Sequence, residues 1–261
     1  RTQDSVPFLV QYVEELKSKN LNVKVFHFKG GSFFNRIKSL CKLRLKYFFE
    51  NWDIIHCHWG QNTVFAYTPF TPIITTFHGS DLQGGDLSND YKYKLEGKIL
   101  FILSQVGFFL SKYNIFVSKI LRKKVYSNRN NYSIIPMGVD LKKFKYMNKK
   151  NCRKKLNLSH KKNLILFGGN YKKKIKRHSI AIKAVEILGE NYELISLYLN
   201  DFNQMPLYMN ACDLLLMTSK HEGSPMMVKE AIACNLPVVS TDVGDVRYQI
   251  ENIKGCYISK S

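Results

Sequence analysis

Short apolar runs, several of them closed by glycine, alternate along this chain with longer stretches whose apolar residues recur at helical spacing. No other feature constrains the fold as tightly. A short run that is apolar throughout suits a parallel strand covered on both faces, and the amphipathic stretches supply the helices that cover it. Runs at 53–57 (DIIHC), 72–77 (PIITTF), 132–136 (YSIIP), 163–167 (NLILF), 193–197, 214–218, 237–241 and 255–259 are expected strands. Residues 21–28 (LNVKVFHF) alternate and add another. Helical spacing is found at 6–16, 33–49, 99–110, 116–125, 152–156, 180–188, 206–211 and 225–234, with a short helix from Val246. The expected class is α/β.

After Asp140 the composition turns polar and basic, which places a linker near 141–150. Two Rossmann-like domains are expected, 1–145 and 146–261, facing a central cleft. The first half opens on a helix without the usual leading strand and Gly-rich turn, and the second ends on a strand without a closing helix. Both features are expected of a fragment of a longer chain. Residues 99–110 are the longest apolar candidate and fall short of the roughly 20 residues a spanning helix needs, so a buried helix is expected there. The start, Arg-Thr-Gln-Asp-Ser, has no secretory pattern. Six cysteines form no Cys-x-x-Cys and no regular framework. A cytoplasmic protein is the expectation, peripheral on the inner face of the membrane if its basic surface docks there.

The formal net charge is +20, and 16 of the 40 basic residues lie within 141–185, a stretch with no Asp or Glu. Such a block attracts phosphates, whether of nucleotide, lipid or nucleic acid. Lysine outnumbers arginine 32 to 8, however, and arginine is the better fork for bases and phosphates. A solvated lysine-rich surface with modest anion attraction is the simpler reading, and no specific nucleic acid is expected. The stretch 33–49 mixes Arg36, Lys38, Lys42, Arg44 and Lys46 with aromatic and aliphatic residues. It suits either a helix packed on a sheet or one lying on a membrane surface.

Chemistry concentrates at 218–230 (TSKHEGSPMMVKE). The strand 214–218 delivers Glu222 and Gly223 to the carboxyl edge of the second sheet, where open α/β folds bind ligands. Ser224 is a natural N-cap and Pro225 a natural first helical residue, so backbone N–H groups from Gly223 to Met227 should face the crevice. Glu230 lies further into that helix. Two carboxylates so placed can accept hydrogen bonds from the diols of ribose and of a sugar.

Glu222-x7-Glu230 within EGSP, followed by AIACNLPVVSTDVGD, resembles the signature of retaining family 4 glycosyltransferases of GT-B fold. DIIHCHWG (53–60), TFHGSD (76–81), IPMGVDLKKF (135–144), LFGGN with Lys176 (166–176) and MPLYMNACDLLLMTS (205–219) resemble that family in its order. The resemblance spans nearly the whole chain, short of the first strand and the C-terminal helices. It implies transfer of a hexose from a nucleotide diphosphate sugar to a lipid-linked, polysaccharide or other glycan acceptor, with retention and without a metal or other cofactor.

The resemblance also implies residue roles. Glu230 holds the donor ribose, while Glu222 and the N–H groups of Gly223, Ser224, Pro225 and Met226 surround the hexose, proline contributing only its position. Lys176, against Gly169, meets the diphosphate. Its usual arginine partner is Asn170 here, leaving Lys172 or Arg177 to complete the pair of cations. His78 and Gly79 approach the donor sugar from the first domain. His56 and His58, two apart on one strand face, could ligate a metal; with no third ligand nearby, structural roles are favoured. A nucleotide-sugar epimerase of the same fold, and a non-catalytic basic anion-binding protein, remain as alternatives.

Overall fold

The computed structural model describes residues 7–27, 33–82, 91–197 and 203–259. The chain divides into two compact units, Arg1–Asp53 and Ile54–Ser261.

The first unit contains helices α1 (Pro7–Ser18) and α2 (Phe33–Phe49). Helix α1 stops because Asn20 adopts a left-handed conformation (φ 61°), letting Asn20 N donate to Lys17 O and Leu21 N to Leu16 O. The strand expected at 21–28 is not formed over 21–27, and residue 28 lies outside the described residues. Alternation alone does not make a strand; a ladder partner does, and Leu21 and Val25 stay exposed. Helix α2 buries Leu43 and Ser39 but leaves Leu45, Phe48 and Phe49 exposed. Glu50, just beyond it, pairs with Lys24 and Lys46, which draws its carboxyl below the ordinary range.

The second unit carries two parallel sheets. The first is ordered β1-β2-β3-β4, from β1 (Ile55–His58), β2 (Ile73–Phe77), β3 (Tyr113–Phe116) and β4 (Tyr132–Ile134). Helices α3 (Gly60–Ala66), α4 (Tyr91–Leu110) and α5 (Lys119–Arg122) lie between these strands in sequence. Its core is aromatic: the rings of Phe77 and Phe116 stack at 4.7 Å, and Phe108, Leu121 and Val125 complete the cluster.

Two expectations are corrected here. Residues 116–125 are not one helix: Phe116 ends β3, and α5 is a single turn capped by Ser118 Oγ, which accepts from Leu121 N. The one-turn length follows from what precedes it, since Tyr113–Phe116 pairs with β2 and β4. Residues 99–110 are helical but not wholly buried; Ser104 and Phe108 face inward while Ile99, Ile102, Val106 and Phe109 are exposed. Helix α3 is one that spacing does not announce, because its GQNTVFA sequence carries no clear apolar stripe.

The second sheet is ordered β6-β5-β7-β8-β9, also all parallel, with β5 (Asn163–Phe167), β6 (Tyr192–Ile195), β7 (Leu214–Met217), β8 (Val238–Thr241) and β9 (Tyr257–Ser259). Between them run α6 (Lys149–Lys155, preceding β5), α7 (His178–Leu188), α8 (Met205–Ala211), α9 (Met226–Ala233) and α10 (Val246–Ile250). Leu164, Leu166, Leu215, Met217, Val228 and Val238 form its core. Val139 and Phe144 pack into that same core, and Asn210 clamps the segment between them and α6 by accepting from Met147 N (2.6 Å) and donating to Lys145 O (3.0 Å). The architecture is α/β of GT-B type, two Rossmann-like sheets in sequence.

Candidate active site

From β5 the chain crosses to β6 on one side and returns to β7 on the other. The connections therefore diverge between β5 and β7, and a crevice opens beyond the carboxyl ends of those strands. Two loops line it, at 168–177 and 218–225.

These loops are fastened together by backbone and side chain. Thr218 Oγ1 donates to the carbonyls of Lys176 and Arg177 at 2.8 and 3.0 Å, and Lys220 N donates to Ile175 O at 2.9 Å. Arg177, left-handed at φ 50°, ends the 3-10 turn Lys174–Lys176 and opens α7. Its Nε donates to Thr218 O at 2.6 Å and its Nη2 to Ser219 O at 3.1 Å, so the guanidinium braces the β7 loop. Asn170 makes a local turn, accepting from Lys172 N at 3.0 Å. The aliphatic stem of Lys176 lies over Gly169, where an added Cβ would meet its Cδ at 3.0 Å. That stem carries the ammonium to Glu222, with which it forms an ion pair shielded from solvent on both sides.

Helix α9 starts one residue later than expected. Pro225 is the N-cap, with no side-chain cap hydrogen bond, and Met226 is the first helical residue. Ser224 lies one residue before the cap, and its hydroxyl donates to Asp245 Oδ2 at 2.8 Å, while Gln249 holds the other oxygen of that carboxylate. Asp245 and Gly244, in the turn after β8, were not singled out from sequence; their place at the same sheet edge was the available signal. Glu230, one turn into α9, is different in kind. Burial pushes its carboxyl up to about 7, Lys143 opposes the shift, and no donor among the described residues reaches it. Its neighbour Lys229 donates to Met137 O at 3.2 Å, its ammonium pKa lowered by burial.

From the first sheet comes the loop His78–Gly79. Asp81, fully buried, accepts from Gly79 N at 2.8 Å and Gly60 N at 3.0 Å, tying this loop to the start of α3. Burial raises its pKa against those hydrogen bonds. The loop meets Gly223 so closely that a Cβ there would stand 2.6 Å from His78 O and 3.1 Å from Gly79 Cα. Ser118 Oγ reaches Gly223 O at 3.5 Å. His78, Gly79, Lys176, Glu222 and Gly223 are thus gathered at one place, by residues from both sheets.

His56 and His58 lie behind His78. Their rings stack at 4.5 Å, and His58 Nδ1 is 2.9 Å from His78 Nε2. Burial holds all three imidazoles neutral, at about 4, 3 and 4 for His56, His58 and His78. Among the described residues no group of three His, Cys, Asp or Glu side chains is arranged to hold a metal ion.

Comparison with known proteins follows this geometry. Residues 150–260 match the family described as Glycosyl transferases group 1. The chain is 27% identical to the putative teichuronic acid biosynthesis glycosyltransferase TuaC of Bacillus subtilis, over 74% of this chain and 54% of that protein. It therefore spans about half the length of that relative. Among solved structures, HepE from Anabaena in complex with UDP and glucose has a TM-score of 0.67 at 15% identity, over 95% of this chain and 75% of HepE. WaaG, a glycosyltransferase involved in lipopolysaccharide biosynthesis, has a TM-score of 0.63 at 14% identity, over 97% of this chain and 81% of WaaG. A sequence match over the second sheet and structural likeness over both lead to one statement: residues 150–260 are similar to the family described as Glycosyl transferases group 1, carried on a GT-B fold.

Proposed function

We propose that this chain forms the working core of a retaining hexosyltransferase, which takes its sugar from a nucleotide diphosphate donor and passes it to a lipid-linked or polysaccharide acceptor. The observation that carries the reading is Glu230, a half-buried carboxylate at the sheet edge whose pKa burial raises and to which no described side chain or backbone N–H donates. A buried acceptor in this state wants hydroxyls, and the vicinal diol of a ribose provides two. The likeness to HepE, whose structure holds UDP and glucose, supports a nucleotide-sugar donor.

In this reading Lys176 neutralises the diphosphate as it gains charge in leaving, in exchange for its partner Glu222. At ~4 Å and an effective dielectric of ~20 such a contact is worth up to about 4 kcal/mol. Glu222 then accepts from the hexose, with the Gly223–Met226 segment and the His78–Gly79 loop around it. The departing phosphate oxygen takes the acceptor proton, and no metal or other cofactor is assigned. The acceptor is assigned to the half before residue 145 and the donor to the half after it.

We place the enzyme at the cytoplasmic face of an anionic membrane. Helix α2 supports this with Phe48 and Phe49 at 83% and 76% exposure beside Lys38, Lys42, Arg44 and Lys46. Among the described residues no helix is long and apolar enough to cross a membrane.

The test is a thermal-shift panel of UDP-, GDP- and ADP-sugars, followed by product analysis with the responding donor. One nucleotide sugar should stabilise the wild type and not Glu230→Ala, and the product should keep its anomeric configuration. Stabilisation by none of them, or an undiminished response in Glu230→Ala, refutes the reading. Isomerised sugar released without acceptor would make the chain an epimerase. Co-sedimentation with vesicles that ignores their anionic lipid content removes the membrane assignment.

A further inference from the structure

We infer that His58 is a positioning residue, which fixes the ring orientation and tautomer of His78 through the Nδ1···Nε2 hydrogen bond between them. The inference rests on the proposed role of His78 beside the transferred hexose, and adds to it a residue of the strand behind.

The register brings the two together. His58 is opposite Thr76 in the β1–β2 ladder, so His58 and His78, two residues beyond Thr76, stand on the same side of the sheet at its carboxyl edge. The rings lie 26° apart with centroids at 5.2 Å, and the nitrogens meet at 2.9 Å. Behind His58, the ring of His56 stacks at 4.5 Å, and its own Nε2 is 2.8 Å from Thr76 Oγ1. On another side Trp59 lies against His78 at 5.1 Å. Trp59 holds a left-handed backbone (φ 67°), an unfavourable state for so large a residue. That conformation accompanies the Trp59 N to Thr76 O hydrogen bond of 2.8 Å, which ties the indole's position to the same strand. Strain of this kind persists where its surroundings over-determine it, and it concentrates at functional sites.

Two neutral imidazoles joined by one hydrogen bond share one proton between the facing nitrogens. If His58 donates, His78 carries its proton on Nδ1 and offers a donor there. If His78 donates, its Nδ1 offers a lone pair. Which of the two donates therefore sets whether Nδ1 of His78 carries its proton, and His58 is the partner through which that is set.

Two substitutions separate shape from hydrogen bonding. His58→Phe keeps an aromatic ring for His56 to stack on but has no nitrogen. His58→Asn loses the ring and can still donate or accept near the Nδ1 position. The readout is the ¹⁵N spectrum of the His78 imidazole in the intact chain, with kcat and KM for the responding nucleotide sugar beside it. Wild type should show one neutral tautomer of His78, His58→Phe a mixture of both, and His58→Asn one again. For turnover, His58→Phe should lower kcat about tenfold with donor KM within about twofold, and His58→Asn should recover most of the loss. An unchanged tautomer in His58→Phe overturns the inference, as does an altered tautomer with unaltered kcat. If the wild type turns over no nucleotide sugar, the proposed function fails on that result, while the spectra still decide whether His58 governs His78.

Discussion

Replacing Glu230 by glutamine should stabilise the free protein and weaken its grip on a nucleotide, and both effects have sizes that follow from burial. In an unfolded chain this carboxyl ionises near 4.5, whereas in the fold it holds its proton to about 7. Below pH 4.5 both states are protonated and the residue is neutral toward stability. Between 4.5 and about 7 the unfolded chain has lost a proton that the folded one keeps, so stability falls as pH rises. Across that interval, at about 1.4 kcal/mol per pH unit, the ionised carboxylate comes to cost about 3 kcal/mol. Glutamine has the same shape and no charge to desolvate. Urea denaturation at pH 4.5 and pH 8 should show the variant level with wild type at the first and more stable by up to about 3 kcal/mol at the second. Calorimetric titration with UDP, or with whichever nucleotide the panel selects, should show the reverse. Hydrogen bonds to a charged acceptor are worth roughly 1.5–3 kcal/mol, so affinity should fall about 10- to 100-fold. A variant no more stable than wild type at pH 8, or one binding the nucleotide equally well, would refute the reasoning that this carboxylate is kept for a ligand.

Three further outcomes are expected. Glu222→Gln releases Lys176 from its ion pair and should tighten inorganic pyrophosphate binding several-fold by calorimetry; the gain should vanish in a Lys176→Ala background, and its survival there would show that the pair is not responsible. Gly223→Ala should cost about 1–3 kcal/mol in denaturant unfolding, because its Cβ would land 2.6 Å from a backbone oxygen that has nowhere to retreat; an unchanged midpoint would contradict that close approach. Arg177→Ala should destabilise by about 1–3 kcal/mol as the Thr218 and Ser219 carbonyls lose their donor, and a variant of normal stability with poor nucleotide affinity would instead make Arg177 a ligand-binding cation.

The central strand of the second sheet was legible because it is a run of buried aliphatics with one structure available to it; Asn163–Phe167 was placed without error at either end. The carboxylate pair was legible for a related reason. Glu222 and Glu230 bracket a helix start, and local chemistry sets where helices start. What escaped depends on partners distant in sequence. Ser224 looks like an N-cap, but the helix begins one residue later and its hydroxyl is turned to Asp245 across the sheet edge. Arg177 looks like a spare phosphate cation until β7 ends beside it. Tyr113–Phe116 continues into residues of helical spacing, and only pairing with β2 and β4 makes it a strand. The His58–His78 contact follows from a strand register that no spacing announces. In the other direction, 21–28 has strand-like alternation, and over its described residues no ladder forms.

The burial of Val139 and Phe144 in the second core fixes where this protein can bend. Strand β4 ends at Ile134, and by Val139 the chain already belongs to the other sheet. A hinge between the sheets has only residues 135–138 to work with, and Gly138 there has open space around it. A pivot so short permits rotation and little sliding. Rotation there would part the contacts that cross from one sheet to the other at Gly223, its approach to His78 and the Ser118 Oγ contact, while Lys229, bonded to Met137 O, would travel with the pivot itself.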